Sequence, residues 1–228
     1  MQFSKEAPKR LILGTLVGLM ALVGGVILIH QHDLPEGVEI KWKHHPTIGY
    51  SKAKVHVVVF EEPKCVNCRD FSLELFPKIK KEYIDTGMIT YTTIPVSFLP
   101  GSMPAAIALL CVYYADPLYP NTEAFYQYLD YMYQNFPGEH EDWATTENLT
   151  KMAANASPAI NVSALNQCIE KQTYHVRVQK NTRYGAKLLG GTISTPSVFV
   201  NGIEAKELSW DGLKNLIDEV CDSLGVEK

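Results

Sequence analysis

The chain has 228 residues, 46% of them apolar, and a formal net charge of −4. That suits one ordinary domain with its own core. The absence of a basic stripe removes the electrostatic footprint that nucleic acid requires, so no nucleic-acid partner is expected.

The first informative segment is LILGTLVGLMALVGGVILI, residues 11–29, which carries no charge and follows a head (1–10) containing Lys5, Lys9 and Arg10. At the helical rise it is long enough to cross roughly 30 Å of hydrocarbon and is read as a transmembrane anchor. The alternative is a cleaved signal peptide, but such apolar cores usually run about 7–15 residues and end at a small-residue site, which VILIHQHD does not offer. The basic head predicts a cytoplasmic N-terminus and a translocated remainder, in a compartment where disulfides form. The expected localisation is therefore the cytoplasmic (inner) membrane, single-pass, with the folded part in the periplasm or extracytoplasmic space.

Residues 30–52 are polar with scattered turn residues and read as a tether, too short to hold a dimerisation domain. The alternation in VEIKWK suggests a short strand. His30, His32, His44 and His45 raise the question of a metal, but no further ligand stands at zinc spacing, so solvated tether histidines are expected.

VHVVVF, residues 55–60, is β-branched and nearly continuous, the pattern of a strand buried on both faces. From Val66 the period changes: Phe71, Leu75, Ile79 and Tyr83 recur at helical spacing, Gly87 closes the segment as a C-cap, and Pro77 inside it predicts a kink. MITYTTIPV, residues 88–96, is a second strand, so a β-α-β unit with parallel strands is predicted over 53–96.

The turn of that unit reads EEPKCVNC. Cys65 stands at the helix start, where unpaired N–H groups and the positive end of the dipole favour a thiolate. Cys68 follows one turn later on the same side, close enough to form a disulfide with it. Lys64 and Arg69 add positive charge nearby; Glu61 and Glu62 oppose it. A zinc site lacks a second ligand pair, and a bridge closing so small a ring removes little chain entropy. A redox couple, in which Cys65 exchanges and Cys68 resolves, makes the most chemical sense of the pair. No metal and no cofactor are expected.

Residues 97–190 look helical throughout: AAIALLCVYYA, FYQYLDYMYQNF, TTENLTKMAANA with an N-cap, VSALNQCIEK, then a polar helix ending at Gly190 and Gly191. Their aromatics read as packing rather than a cofactor box. Cys111 and Cys168 each lie on an apolar-periodic helix. In an oxidising compartment a structural disulfide between them is favoured over two separate buried thiols and is worth about 4 kcal/mol in the chain-entropy model. Cys221 shares a stripe with Leu213, Leu216, Ile217, Val220 and Leu224 and is expected to be a buried core thiol.

In residues 191–228, SVFV is a strand, Asn201-Gly202 a hairpin turn and Ser209 the N-cap of a closing helix. Pro196 stands just before the strand, where a cis bond is one explanation among several.

Strand, Cys-x-x-Cys at a helix start, β-α-β, helical insertion, Thr195-Pro196, SVFV, Asn201-Gly202 and closing helix together resemble the DsbA-like thiol:disulfide oxidoreductases. The resemblance covers about residues 53–224. It implies an α/β, thioredoxin-like fold with an inserted helical domain, here preceded by the N-terminal transmembrane helix. It implies that Cys65 is the exposed nucleophile and Cys68 its buried partner, that Pro196 is a cis proline facing the site, and that Thr195 offers backbone groups to a substrate strand. The implied partners are reduced or misoxidised translocated proteins and a membrane redox protein, either DsbB-like or a transporter of reductant. One departure stands out: many members carry a buried acid six residues before the first cysteine, and here that residue is Val59. Three functions follow as expectations. The preferred one is an oxidase that donates its disulfide; the others are a reductase or isomerase and, from another class, a binding or chaperone module with an idle pair.

Overall fold

The computed structural model describes residues 34–226. The apolar segment 11–29, its basic head, and His30 and His32 lie outside the described residues. Among those described, no helix is long and apolar enough to cross a membrane. The fold below is that of the unit Glu36–Lys228.

Strand β2 (Val55–Glu61) pairs in parallel with β3 (Ile89–Pro95), joined by a helical segment, α1, that runs from residue 66 to 84. Antiparallel neighbours complete the sheet: β1 (Thr47–Gly49) on β3, β4 (Ser197–Val200) on β2, and β5 (Ile203–Glu204) on β4, giving the order β1-β3-β2-β4-β5. β2 is buried along its length, with only His56 partly exposed, as a central strand covered on both faces must be. The β4–β5 turn is Asn201-Gly202 with φ of 47° and 82°. Two residues in the left-handed region match the twist of a tight hairpin.

α1 starts as α-helix at Val66–Asp70, widens to a π-helical turn at Phe71–Leu75, returns to α-helix at Phe76–Ile79 and ends in a second π-helical turn, Lys80–Ile84. The kink predicted at Pro77 takes this form. Proline has no N–H and its ring crowds the carbonyl four residues back, and the wide turn before it relieves that crowding.

Between β3 and β4 run α2 (Met103–Tyr113), α3 (Thr122–Gln134), α4 (Thr146–Ala156), α5 (Val162–Glu170) and α6 (His175–Leu188). α2 is apolar all round, with every residue from Ala105 to Tyr113 buried, the pattern of a helix packed against neighbours on all sides. Asn121, Thr145 and Asn161 cap the next three helices through side-chain oxygens. α7 (Trp210–Ser223) closes the chain, capped by Ser209 at 3.1 Å, and buries Leu213, Ile217, Val220 and Cys221. Val58, Phe60 and Phe199 meet Tyr184 and Leu188 of α6 on one face of the sheet. Val57, Val59 and Glu61 lie on the other, toward α1 and α7.

From residue 38 onward the segment is mostly exposed, His44 included, but it is fastened to the domain at several points. Ile40 and His45 are each 9% exposed, Val38 N–H donates to Gly202 O and Lys41 N–H to the Tyr184 hydroxyl. The strand expected in VEIKWK does not form, because these bonds run to a turn and a side chain rather than to a neighbouring strand. The edge strand is Thr47–Gly49 instead. Burial, with Arg177 and His44 nearby, pushes the His45 pKa down to about 3, so it is a neutral packing residue.

Candidate active site

Cys65 is the N-cap of α1 and Cys68 lies one turn in; both are thiols and both are buried, at 6% and 0% exposure. The Cys65 Sγ–H donates to the Thr195 carbonyl at 3.5 Å, and the Glu62 N–H donates to Cys68 Sγ at 3.4 Å. The two sulfurs hydrogen-bond each other, and the same contact acts on them in opposite directions. Cys65 is lowered to about 6, first by the Cys68 thiol, then by the Thr195 side chain and the Cys68 and Asn67 N–H groups, against a burial cost. Cys68 is pushed well above the usual thiol range, chiefly by burial, then by its bond to Cys65 and the charge of Glu61. Above about pH 6 the Cys65 thiol therefore gives up its proton while Cys68 keeps its own.

Two cations near the pair in sequence do not help it. Lys64 is buried with Nζ donating to Pro100 O at 3.0 Å. Arg69 pairs with Asp70 at 2.5 Å and stacks over the Phe136 ring. The lowered pKa of Cys65 therefore comes from hydrogen bonds and the helix start rather than from side-chain cations.

Beneath the pair is a buried acid. Glu61 is 3% exposed and accepts from the Tyr133 hydroxyl at 3.2 Å and the Tyr91 hydroxyl at 3.4 Å. Burial raises its pKa to about 7 despite those bonds, and the charge of Cys65 adds to the rise. Glu62, fully buried, is likewise raised to about 7, mainly by burial. Val59 itself is apolar, but side chains alternate along a strand, so Glu61 projects from the same face one step nearer the cysteines. That period-two relation was the signal in the sequence for this acid. Tyr133, on the insertion, carried no such signal.

The Thr195–Pro196 peptide bond is cis, and both residues are buried beside Cys65. The Thr195 hydroxyl has no other hydrogen-bond partner among the described residues and is placed to donate to a thiolate. A groove bounded by Asn67, Phe71, Leu75, Thr195, Pro196 and Trp210 opens along the site. Cys111 and Cys168 are not part of it: they are joined by a disulfide linking α2 to α5.

Residues 41–219 match the family model described as Thioredoxin. The crystal structure of Chlamydia trachomatis DsbA is 39% identical, with a TM-score of 0.73 over 83% of this chain and 98% of that one. That of oxidised BdbD from Bacillus subtilis is 27% identical, with a TM-score of 0.72 over 80% and 96%. Disulfide bond formation protein D of Bacillus subtilis is 28% identical over 179 residues, 78% of this chain and 77% of the relative. With the fold, the Cys-x-x-Cys helix start and the cis proline in place, the chain belongs to the DsbA-like branch of the thioredoxin family, the thiol:disulfide oxidoreductases.

Proposed function

We infer that the chain donates the Cys65–Cys68 disulfide to cysteine pairs of translocated proteins, held at the cytoplasmic membrane by residues 11–29 with the folded unit on the outer side. The observation that carries the direction is the asymmetry of the two sulfurs, Cys65 lowered to about 6 and Cys68 raised. A stabilised Cys65 thiolate favours the reduced protein, which makes its disulfide an oxidant.

In the forward reaction a substrate thiolate attacks Cys65 Sγ from the groove, with the Thr195 backbone aligning the substrate strand. The Cys65–Cys68 bond breaks, and the departing Cys68 thiolate takes a proton, for which Glu61 is the buried acid whose charge acts on it. A second substrate thiolate then attacks the substrate sulfur of the mixed disulfide and Cys65 leaves as the thiolate. Two electrons pass from substrate to protein; the proton on Cys68 comes from Glu61, and of the two protons released by the substrate thiols one restores Glu61 and the other goes to solvent. A quinone-linked membrane partner of the DsbB-like kind re-forms the disulfide.

The test is the potential of the Cys65/Cys68 couple in glutathione buffers. A value near −120 mV supports donation, and one near −270 mV identifies a reductant, on the range known for such couples. Unchanged substrate oxidation by Cys65→Ser would identify a binding module instead.

A further inference from the structure

The inserted helices do more at the site than cover it. The first N–H of α1, that of Val66, donates to Glu139 Oε2 at 3.0 Å, across 73 residues of sequence. Glu139 sits in the loop between α3 and α4, and that loop is fastened on both sides. Trp143 Nε1–H donates to Gly138 O at 3.0 Å and its ring meets Phe136 edge-on. The Arg69 guanidinium of α1 lies 5.3 Å from the Phe136 centroid. A carboxylate is thus held at the positive end of the very helix that stabilises the Cys65 thiolate.

Its consequence is visible in what Cys65 uses. The thiolate draws on the Asn67 and Cys68 N–H groups, while Val66 N–H is bonded to Glu139. The charge of Cys65 acts on Glu61 and Glu62 at the strand end, Cys68 and Thr195 bond its sulfur, and Glu139 of the insertion reaches the N–H of the next residue, Val66. The neighbouring cations are drawn elsewhere, Lys64 to Pro100 O and Arg69 to Asp70.

We propose that Glu139 is a positioning residue that restrains the oxidising strength of the pair, by setting a negative charge, held on the Val66 N–H, against the thiolate at Cys65. This rests on the reading of Cys65 as the attacking sulfur and adds to it a control exerted by the insertion. It predicts that the insertion weakens the oxidant that the helix start would otherwise make.

The experiment uses Glu139→Gln, which keeps an oxygen to accept from Val66 and removes the charge, alongside Glu139→Asp, which keeps the charge. Thiolate absorbance against pH and the equilibrium with glutathione are read for each, with thermal unfolding as the check on folding. Glu139→Gln is expected to titrate Cys65 at lower pH and to shift the glutathione equilibrium roughly two- to fivefold toward oxidised glutathione, the size of a charge at a helix end. Glu139→Asp is expected to stay within about twofold of the parent, because the repelling charge remains. No shift in Glu139→Gln, or a shift toward a weaker oxidant, overturns the proposal. Cys65→Ser in the same assay separates the two ideas: if it exchanges normally, the reading of Cys65 itself fails. If it is inactive while Glu139→Gln is unshifted, only the role of Glu139 fails.

Discussion

Two cysteine pairs share one hydrophobic cluster in this molecule, and they have opposite chemistry. Cys65 and Cys68 are thiols at the start of α1; Cys111 and Cys168 are bonded, 57 residues apart, on two helices of the insertion. Burial, with the bond to Cys65 and the charge of Glu61, raises the pKa of Cys68 and disfavours its thiolate. What sets Cys65 apart is its place at a helix start, with N–H groups aimed at the sulfur and a thiol beside it. The insertion pair has no comparable start, and the long loop it closes is what makes a bridge there stabilising. Reactivity and stapling are thus separated by backbone position rather than by burial.

The comparison breaks most sharply under cysteine replacement. Cys65→Ser is expected to reduce oxidation of a reduced substrate protein by roughly a hundredfold or more, since the thiolate is the exchanging species. Replacing Cys111 and Cys168 together by serine should leave exchange within about twofold and lower the unfolding free energy in urea by about 4 kcal/mol. If the second variant loses exchange while still folded, the two pairs are not separate in function.

A smaller effect is the pH dependence of stability in the two redox states. Glu61 and Glu62 titrate near 7 when folded against 4.5 in the ordinary state, so their contribution is complete below pH 4.5 and is lost as pH rises through about 7. Cys65 runs the other way: lowered from 9.0 to about 6, it stabilises the reduced protein above pH 9, and that contribution is lost as pH falls through about 6. The reduced form should therefore gain on the oxidised form as pH rises from about 6 to 9, measured by urea unfolding of each. Glu61→Gln should flatten the loss between pH 4.5 and 7 in both states; an unaltered profile would remove Glu61 from the buried acids that matter.

The smallest effect is expected from Thr195→Val, which keeps the shape and removes the hydroxyl beside Cys65. One lost hydrogen bond to a thiolate should lower the thiolate fraction near pH 6 by about threefold, read by ultraviolet absorbance. No change would mean that the N–H groups of α1 and the Cys68 thiol carry the whole effect.

Much of the scaffold was legible because local rules and tertiary structure agree. The continuous run VHVVVF became a central strand, and Asn201-Gly202 and Ser209 became a hairpin turn and a cap. Where they disagreed, a distant partner had intervened. VEIKWK alternates like a strand, yet its backbone bonds go to Gly202 O and the Tyr184 hydroxyl. His45 sits in a polar stretch, yet Tyr113 and Thr47 donate to its carbonyl and the side chain is buried. Lys64 and Arg69 flank the cysteines in sequence but are held by Pro100 and Asp70.

The sequence by itself determined the redox pair, the strand-to-helix turn that presents it and the helical block between the two halves of the sheet, because each rests on periodicity and on contacts a few residues apart. Only the tertiary structure decided which groups surround the sulfurs. Tyr133 reaches Glu61 across 72 residues and Glu139 reaches Val66 across 73. Contacts over such separations depend on how helices pack, and no local pattern encodes them.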